Sequence, residues 1–123
     1  MNLQEVIYDS APPFEGYGTG TFRVGGRVHE GAILVFGRSV RPWAGYADAA
    51  PLVALAGEAD VILLGTGREI AHVPADLRAA VEEAGMGIEA MGTPAACRTY
   101  NVLVGEGRRV AAAVLPVMEP PSA

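Results

Sequence analysis

Asp60-Val61-Ile62-Leu63-Leu64-Gly65-Thr66-Gly67 is the stretch on which the fold turns. The apolar run from Val61 to Leu64 leaves no polar face, so a strand here has to be covered on both sides. Strands of that kind belong to parallel sheets, whose crossover helices lie over both faces. Gly65-Thr66-Gly67 then ends the run as a turn. Downstream, Pro74 opens a helix whose apolar positions Leu77, Ala80, Val81 and Ala84 recur with helical spacing, and Gly85 closes it. Gly87-Ile88-Glu89-Ala90-Met91 reads as the next strand. Thr93 is the expected cap and Pro94 the start of a third helix, with Ala96, Tyr100, Leu103 and Val104 on one stripe and Gly105 as its stop. Arg109-Val110-Ala111-Ala112-Ala113-Val114-Leu115 is the final strand. The order β-α-β-α-β implies right-handed crossovers and parallel pairing.

Upstream, Asp48 and Pro51 introduce a short helix over Leu52–Ala56, stopped by Gly57. The first third has β character throughout. Thr21-Phe22-Arg23-Val24 alternates, Gly25-Gly26 turns and Arg27-Val28-His29 returns, which is a hairpin pattern. Ala32-Ile33-Leu34-Val35-Phe36 is a second uninterrupted apolar run. Gly37-Arg38-Ser39 turns it into Val40-Arg41-Pro42-Trp43, where Pro42 marks an edge or a strand end. The expectation is one α/β domain over residues 1–123: irregular lead-in at 1–18, β-rich part at 19–43, β/α half at 48–115, flexible tail at 116–123. Its architecture is three-layer β/β/α, the C-terminal half forming a mixed or parallel sheet and the N-terminal hairpin region a second β layer.

Composition sets limits. Half of the 123 residues are hydrophobic and 19% are charged, which describes a globular chain with room for one core. The net charge of −5 and the lack of a basic run argue against nucleic acid as a partner. No stretch approaches the ~18 apolar residues of a membrane span, and Met1–Glu5 has no signal-peptide pattern. A soluble cytoplasmic protein, not embedded in a membrane, is therefore expected. All nine basic residues are Arg, which removes lysine-bearing P-loops, Schiff bases and lysine general bases. Cys97 is the single thiol, so an internal disulfide and a multi-thiolate metal site are both excluded. His29 and His72 stand far apart in turn-like contexts. No metal and no cofactor is expected.

Two places carry polar groups of interest. Gly65-Thr66-Gly67-Arg68-Glu69-Ile70, with Glu89 at the next strand, approaches a dinucleotide fingerprint, but Ile70 holds the third glycine position and Pro74 delays the helix. The second place is the Thr93 helix start, where Thr93, Cys97 and Asn101 fall on one line with Arg98 beside it. The turns after Leu64 and Met91 both lie at carboxyl ends of parallel strands, where open α/β sheets bind ligands. Gly65, Thr66, Gly67, Arg68, Thr93, Cys97, Arg98 and Asn101 are accordingly the candidate ligand set, suited to a small anion or metabolite. The plainer alternative also stands: Thr93 as a cap, Cys97 as a small core hydrophobe, Asn101 as a bonder of nearby backbone. Cys97 is the one candidate nucleophile, since the first turn of a helix lowers a thiol pKa. Trp43 and Tyr46, near a sheet edge, either form a protein contact or plug the core. An edge strand would also permit a homodimer, with no residue that singles one out.

Gly65-Thr66-Gly67, then Met91-Gly92-Thr93-Pro94-Ala95-Ala96-Cys97-Arg98-Thr99-Tyr100-Asn101, then Glu106-Gly107-Arg108-Arg109-Val110-Ala111-Ala112-Ala113 together resemble a widespread domain family of unassigned function. That family includes the mitochondrial NADH dehydrogenase (complex I) 1 alpha subcomplex assembly factor 3 and an adipogenesis-associated domain protein. The likeness runs from Tyr8 to Val117, with Thr93–Asn101 its specific part. It implies a β/β/α fold, no established catalytic residue, and protein partners in respiratory or membrane-complex biogenesis. The missing mitochondrial leader fits a bacterial relative. A non-enzymatic binding or assembly-type module is the reading this supports, and a metabolite-binding enzyme or sensor at the crevice is the alternative.

Overall fold

The computed structural model describes residues 11–118. In chain order the elements are β1 (Phe14–Gly18), β2 (Thr21–Val24), β3 (Arg27–Glu30), β4 (Ile33–Phe36), β5 (Ser39–Pro42), α1 (Ala50–Val53), β6 (Val61–Gly65), α2 (Ala75–Glu83), β7 (Gly87–Met91), α3 (Thr93–Gly105) and β8 (Val110–Val114). The first three strands form an antiparallel sheet in the order β1-β2-β3, and the other five form a mixed sheet in the order β5-β4-β8-β6-β7. β6 pairs in parallel with both β7 and β8, as the alternation of strands and helices requires, while β4 runs antiparallel to β5 and β8.

The two crossovers run in opposite directions along the sheet. The chain steps from β6 outward to β7, then returns past β6 to reach β8. Right-handed connections going opposite ways along a sheet put their helices on opposite faces. The buried side chains divide accordingly. Ile62 and Leu64 of β6 and Ala111 and Ala113 of β8 meet Leu77 and Val81 of α2, together with Leu52, Trp43 and Met86. Leu63 of β6 and Val110, Ala112 and Val114 of β8 meet Ala96, Cys97 and Tyr100 of α3, together with Phe14, Phe22 and Val24 of the small sheet. All five residues of β8 are buried, which fits a continuous apolar run in mid-sheet. Fully burying a side chain such as Ile62 or Leu64 contributes about 1.5–3 kcal/mol, so these two faces dominate the stability.

The expected β, mixed-β and helical layers are present, with α3 sharing the layer of the small sheet. An aromatic column joins the two. Phe14 sits edge-on to Tyr100 at 5.4 Å between ring centroids and to Phe22 at 6.0 Å. The β2–β3 hairpin turns on Gly25 (φ 57°) and Gly26 (φ 81°), both in the left-handed region that a two-residue turn of this kind demands.

Some boundaries differ from the sequence reading. Phe14–Gly18, expected within an irregular lead-in, is a strand on the edge of the small sheet. Its pairing with β2 slips between Phe14 and Gly16, a bulge in a glycine-rich stretch whose composition is uncommon in strands. The first helix starts at Ala50 rather than Leu52, because Pro51 fits the first turn of a helix better than the approach to one. Residues 1–10 of the expected lead-in and 119–123 of the expected tail lie outside the described residues. Val117 is tied down by an N–H from Gly20 at 2.9 Å.

Candidate functional site

The strand ends of β6 and β7 do lie side by side, and their connections diverge to opposite faces, the arrangement that opens a crevice in many α/β sheets. Here the junction is laced shut. Thr66 N–H donates to Met91 O at 2.9 Å, Thr93 N–H to Gly67 O at 2.6 Å, and Leu115 N–H to Gly65 O at 2.9 Å. The Thr66 hydroxyl donates to Glu69 O at 2.7 Å and accepts from Ala71 N–H at 3.0 Å, so its own loop folds around it.

Thr93 is the centre of this junction. The sequence casts it as a helix cap, but Gly92 occupies the cap position and Thr93 is the first helical residue. Its hydroxyl donates to Leu115 O at 2.7 Å and accepts from Gly67 N–H at 2.9 Å, joining the ends of β6, β7 and β8. The side chain is fully buried. Gly65 explains how it fits: a Cβ there would stand 2.8 Å from Thr93 Oγ1 and 2.7 Å from Val114 Cγ1, so only glycine permits this approach.

The line of Thr93, Cys97 and Asn101 exists, and it faces inward. Cys97 is buried in the core beneath the small sheet, where desolvation pushes its thiol up to about 12 against a smaller opposing pull from Arg98. Asn101 accepts from Phe14 N–H at 2.9 Å and donates to Phe14 O at 2.8 Å, holding the start of β1 as a neighbouring strand would. Arg98 is exposed. Arg68 turns outward into a separate surface groove of about 490 Å3, beside Pro94 in the first turn of α3 and opposite Tyr17 and Met118. Of the eight candidate ligand residues, Gly65, Thr66, Gly67 and Thr93 therefore meet directly. Gly67 N–H, which a pyrophosphate would need, is occupied by Thr93.

Trp43 is a core plug. It is 4% exposed, packs with Leu52 and Leu77, and donates its indole N–H to Asp48 O at 2.9 Å. Tyr46 stacks edge-on against it at 6.3 Å and is half-buried. At the far end of the sheet Arg109 clasps Asp60 through two contacts, at 2.6 and 3.2 Å. Among the described residues, no cluster of three or more His, Cys, Asp or Glu side chains is placed to hold a metal ion. Nor is any helix there long and apolar enough to cross a membrane.

One feature escapes the sequence reading. A surface groove of about 550 Å3 runs along the outer edge of β7, lined by Ile88, Glu89 and Ala90 on one side and by Ile70, His72 and Arg78 among others on the far side. Ile70 is 69% exposed. A signal was present in Glu89, a charged residue between apolar neighbours, which marks a strand with one open face.

The fold and junction define a two-sheet α/β domain whose strand-end crevice is closed by its own hydrogen bonds. The profile of the family described as "Protein of unknown function (DUF498/DUF598)" matches residues 14–115, and the chain belongs to that family. It is 47% identical over 117 residues to an uncharacterized protein of Rhodobacter capsulatus, covering 95% of this chain and 94% of that one. It is 37% identical over 57 residues to the zebrafish NADH dehydrogenase [ubiquinone] 1 alpha subcomplex assembly factor 3, covering 46% of this chain and 33% of the relative. Among solved structures, a Bartonella henselae protein described as an outer membrane protein is similar with a TM-score of 0.81 and 31% identity, covering 89% of this chain and 98% of that one.

Proposed function

We propose that this chain is a non-enzymatic docking module that acts by holding other proteins during the building of a respiratory or other membrane complex. The observation that carries the reading is the likeness to assembly factor 3, itself named for the NADH dehydrogenase 1 alpha subcomplex. The site chemistry supports it. Thr66 and Thr93 spend their hydroxyls on backbone, Asn101 spends its amide on β1, and the Cys97 thiol stays protonated at neutral pH. Groups committed in this way hold the domain rigid, which suits a surface that binds by shape. The reading places the protein in the cytoplasm, meeting a membrane complex from its aqueous side.

The test is a clean deletion strain. Its membranes are expected to hold less assembled respiratory complex on native gels, with subassemblies accumulating and recovery on complementation. Unchanged complex content with unchanged assembly kinetics would remove this reading.

A second reading has one observation in its favour, the groove in which Arg68 faces the first turn of α3. It takes a small anion there, drawn by the guanidinium and by the positive end of the helix. Titration with inorganic phosphate is expected to show saturable binding that Arg68→Ala abolishes. Heats no larger than those of dilution would dismiss it.

A further inference from the structure

We infer that the outer edge of β7 is a strand-addition site, taking an extended segment of a partner protein that carries a basic side chain opposite Glu89. This rests on the docking reading and names the surface that performs it. Gly87 N–H donates to Asp60 O and Met91 O accepts from Thr66 N–H, so Gly87, Glu89 and Met91 point their backbone groups at β6. With the two-residue period of a strand, Ile88 and Ala90 point theirs outward, into the groove. The contact on that row among the described residues is a long one, the Arg78 guanidinium 3.4 Å from Ile88 O. Arg78 is half-exposed and shared with Glu82, so an incoming N–H can replace it at little cost.

The remaining sheet edges are blunted. β5 ends in Pro42, which has no N–H, after the charged Arg41. β1 carries the bulge between Phe14 and Gly16, and Asn101 occupies both backbone groups of Phe14. β3 places Arg27, His29 and Glu30 along its length. These are the devices by which proteins keep sheet edges from pairing. β7 has no proline and no bulge, and it stays in register with β6 through five consecutive pairs. Ile70, exposed on the far wall, offers an apolar contact to one face of an added strand.

Charge decides the occupant. A second copy adding antiparallel about a two-fold axis would set Ile88 against Ala90 and Glu89 against Glu89. That last pair falls at the closely spaced, non-hydrogen-bonded position, where like charges directly opposite repel. A foreign strand with Lys or Arg at that position forms the same ladder and gains an opposite-charge pair instead.

The experiment uses the whole isotope-labelled protein and two synthetic peptides, acetylated and amidated, of sequence TVTKTVT and TVTETVT. Amide exchange and shifts are read by NMR at millimolar peptide. The lysine peptide is expected to slow exchange at Ile88 and Ala90 by about tenfold or more, as pairing of an open edge should. It is expected to bind about two- to fivefold tighter than the glutamate peptide, and Glu89→Lys to reverse that preference. Three results would overturn the site. One is no protection at Ile88 and Ala90 from either peptide. A second is protection of Ile88 and Ala90 that grows with protein concentration in the absence of peptide, which assigns the edge to a second copy. The third is peptide-induced shifts confined to the Tyr17 and Met118 surface. A deletion strain that still loses assembled complex would in each case leave the docking reading standing without this edge.

Discussion

Thr93 fastens three strand ends with one hydroxyl, and its removal is correspondingly costly. Thr93→Val keeps the shape but leaves Gly67 N–H and Leu115 O without that partner. A loss of about 1–3 kcal/mol is expected, read as a lower urea midpoint with an unchanged slope. Gly65→Ala is expected to cost a similar ~1–3 kcal/mol by overpacking, since the new methyl meets Val114 and Thr93 inside contact distance. Cys97 yields a kinetic prediction. With its thiol pushed up to about 12 and its side chain buried, native protein should resist iodoacetamide at neutral pH and react fully once unfolded. Rapid native labelling would contradict the burial described. The line of Thr93, Cys97 and Asn101 was legible from spacing alone. Its direction was not, because helical periodicity shows that residues share a face without showing whether that face meets solvent or a sheet.

Between elements, the contact of Asn101 with β1 is the most exposed to test. One amide satisfies both backbone groups of Phe14, so α3 acts as the missing neighbour of an edge strand. Asn101→Leu is expected to lower stability by about 1–2 kcal/mol. It should also raise the exchange rate of the Phe14 amide far more than that of Leu63, which lies in mid-sheet. Equal acceleration at both sites would mean that β1 opens only with the whole domain. β1 itself was hidden in the sequence by two prolines and by glycines that strands ordinarily avoid. The parallel strands and the two long helices were plain, since each was bounded by glycine or proline and carried its own period. Gly92 as the cap of α3 was not readable, because threonine beside proline carries the stronger capping signal.

For the molecule as a whole, acid and alkali act through different groups. Hydrogen bonding to Arg109, reinforced by that cation's charge, holds the Asp60 carboxyl below its ordinary range. A lowered folded-state value means that the contribution is present above the unfolded carboxylate value and disappears as pH falls through the folded one. Both partners are exposed, so the effect is expected to be small and to shrink with added salt. Cys97 and Tyr100 lie the other way. Burial raises each to about 12, so their neutral forms stabilise the fold below the unfolded thiol and phenol values, and that contribution is lost as pH climbs toward about 12. Unfolding midpoints in urea should therefore hold steady near neutrality and fall steeply in strong alkali. A flat profile through that range would speak against the buried placement of both groups. At this scale the sequence revealed the alternation of strands and helices but not the strand order, which depends on contacts between distant segments. The order has a further consequence, because β8 lies between β4 and β6 and alone joins the two halves of the larger sheet. During synthesis on a ribosome, the hairpin of β4 and β5 and the pair of β6 and β7 emerge as separate pieces with raw edges facing each other. They cannot be welded until Val114 has cleared the exit tunnel, and up to that point the nascent polypeptide is open to chaperones and proteases.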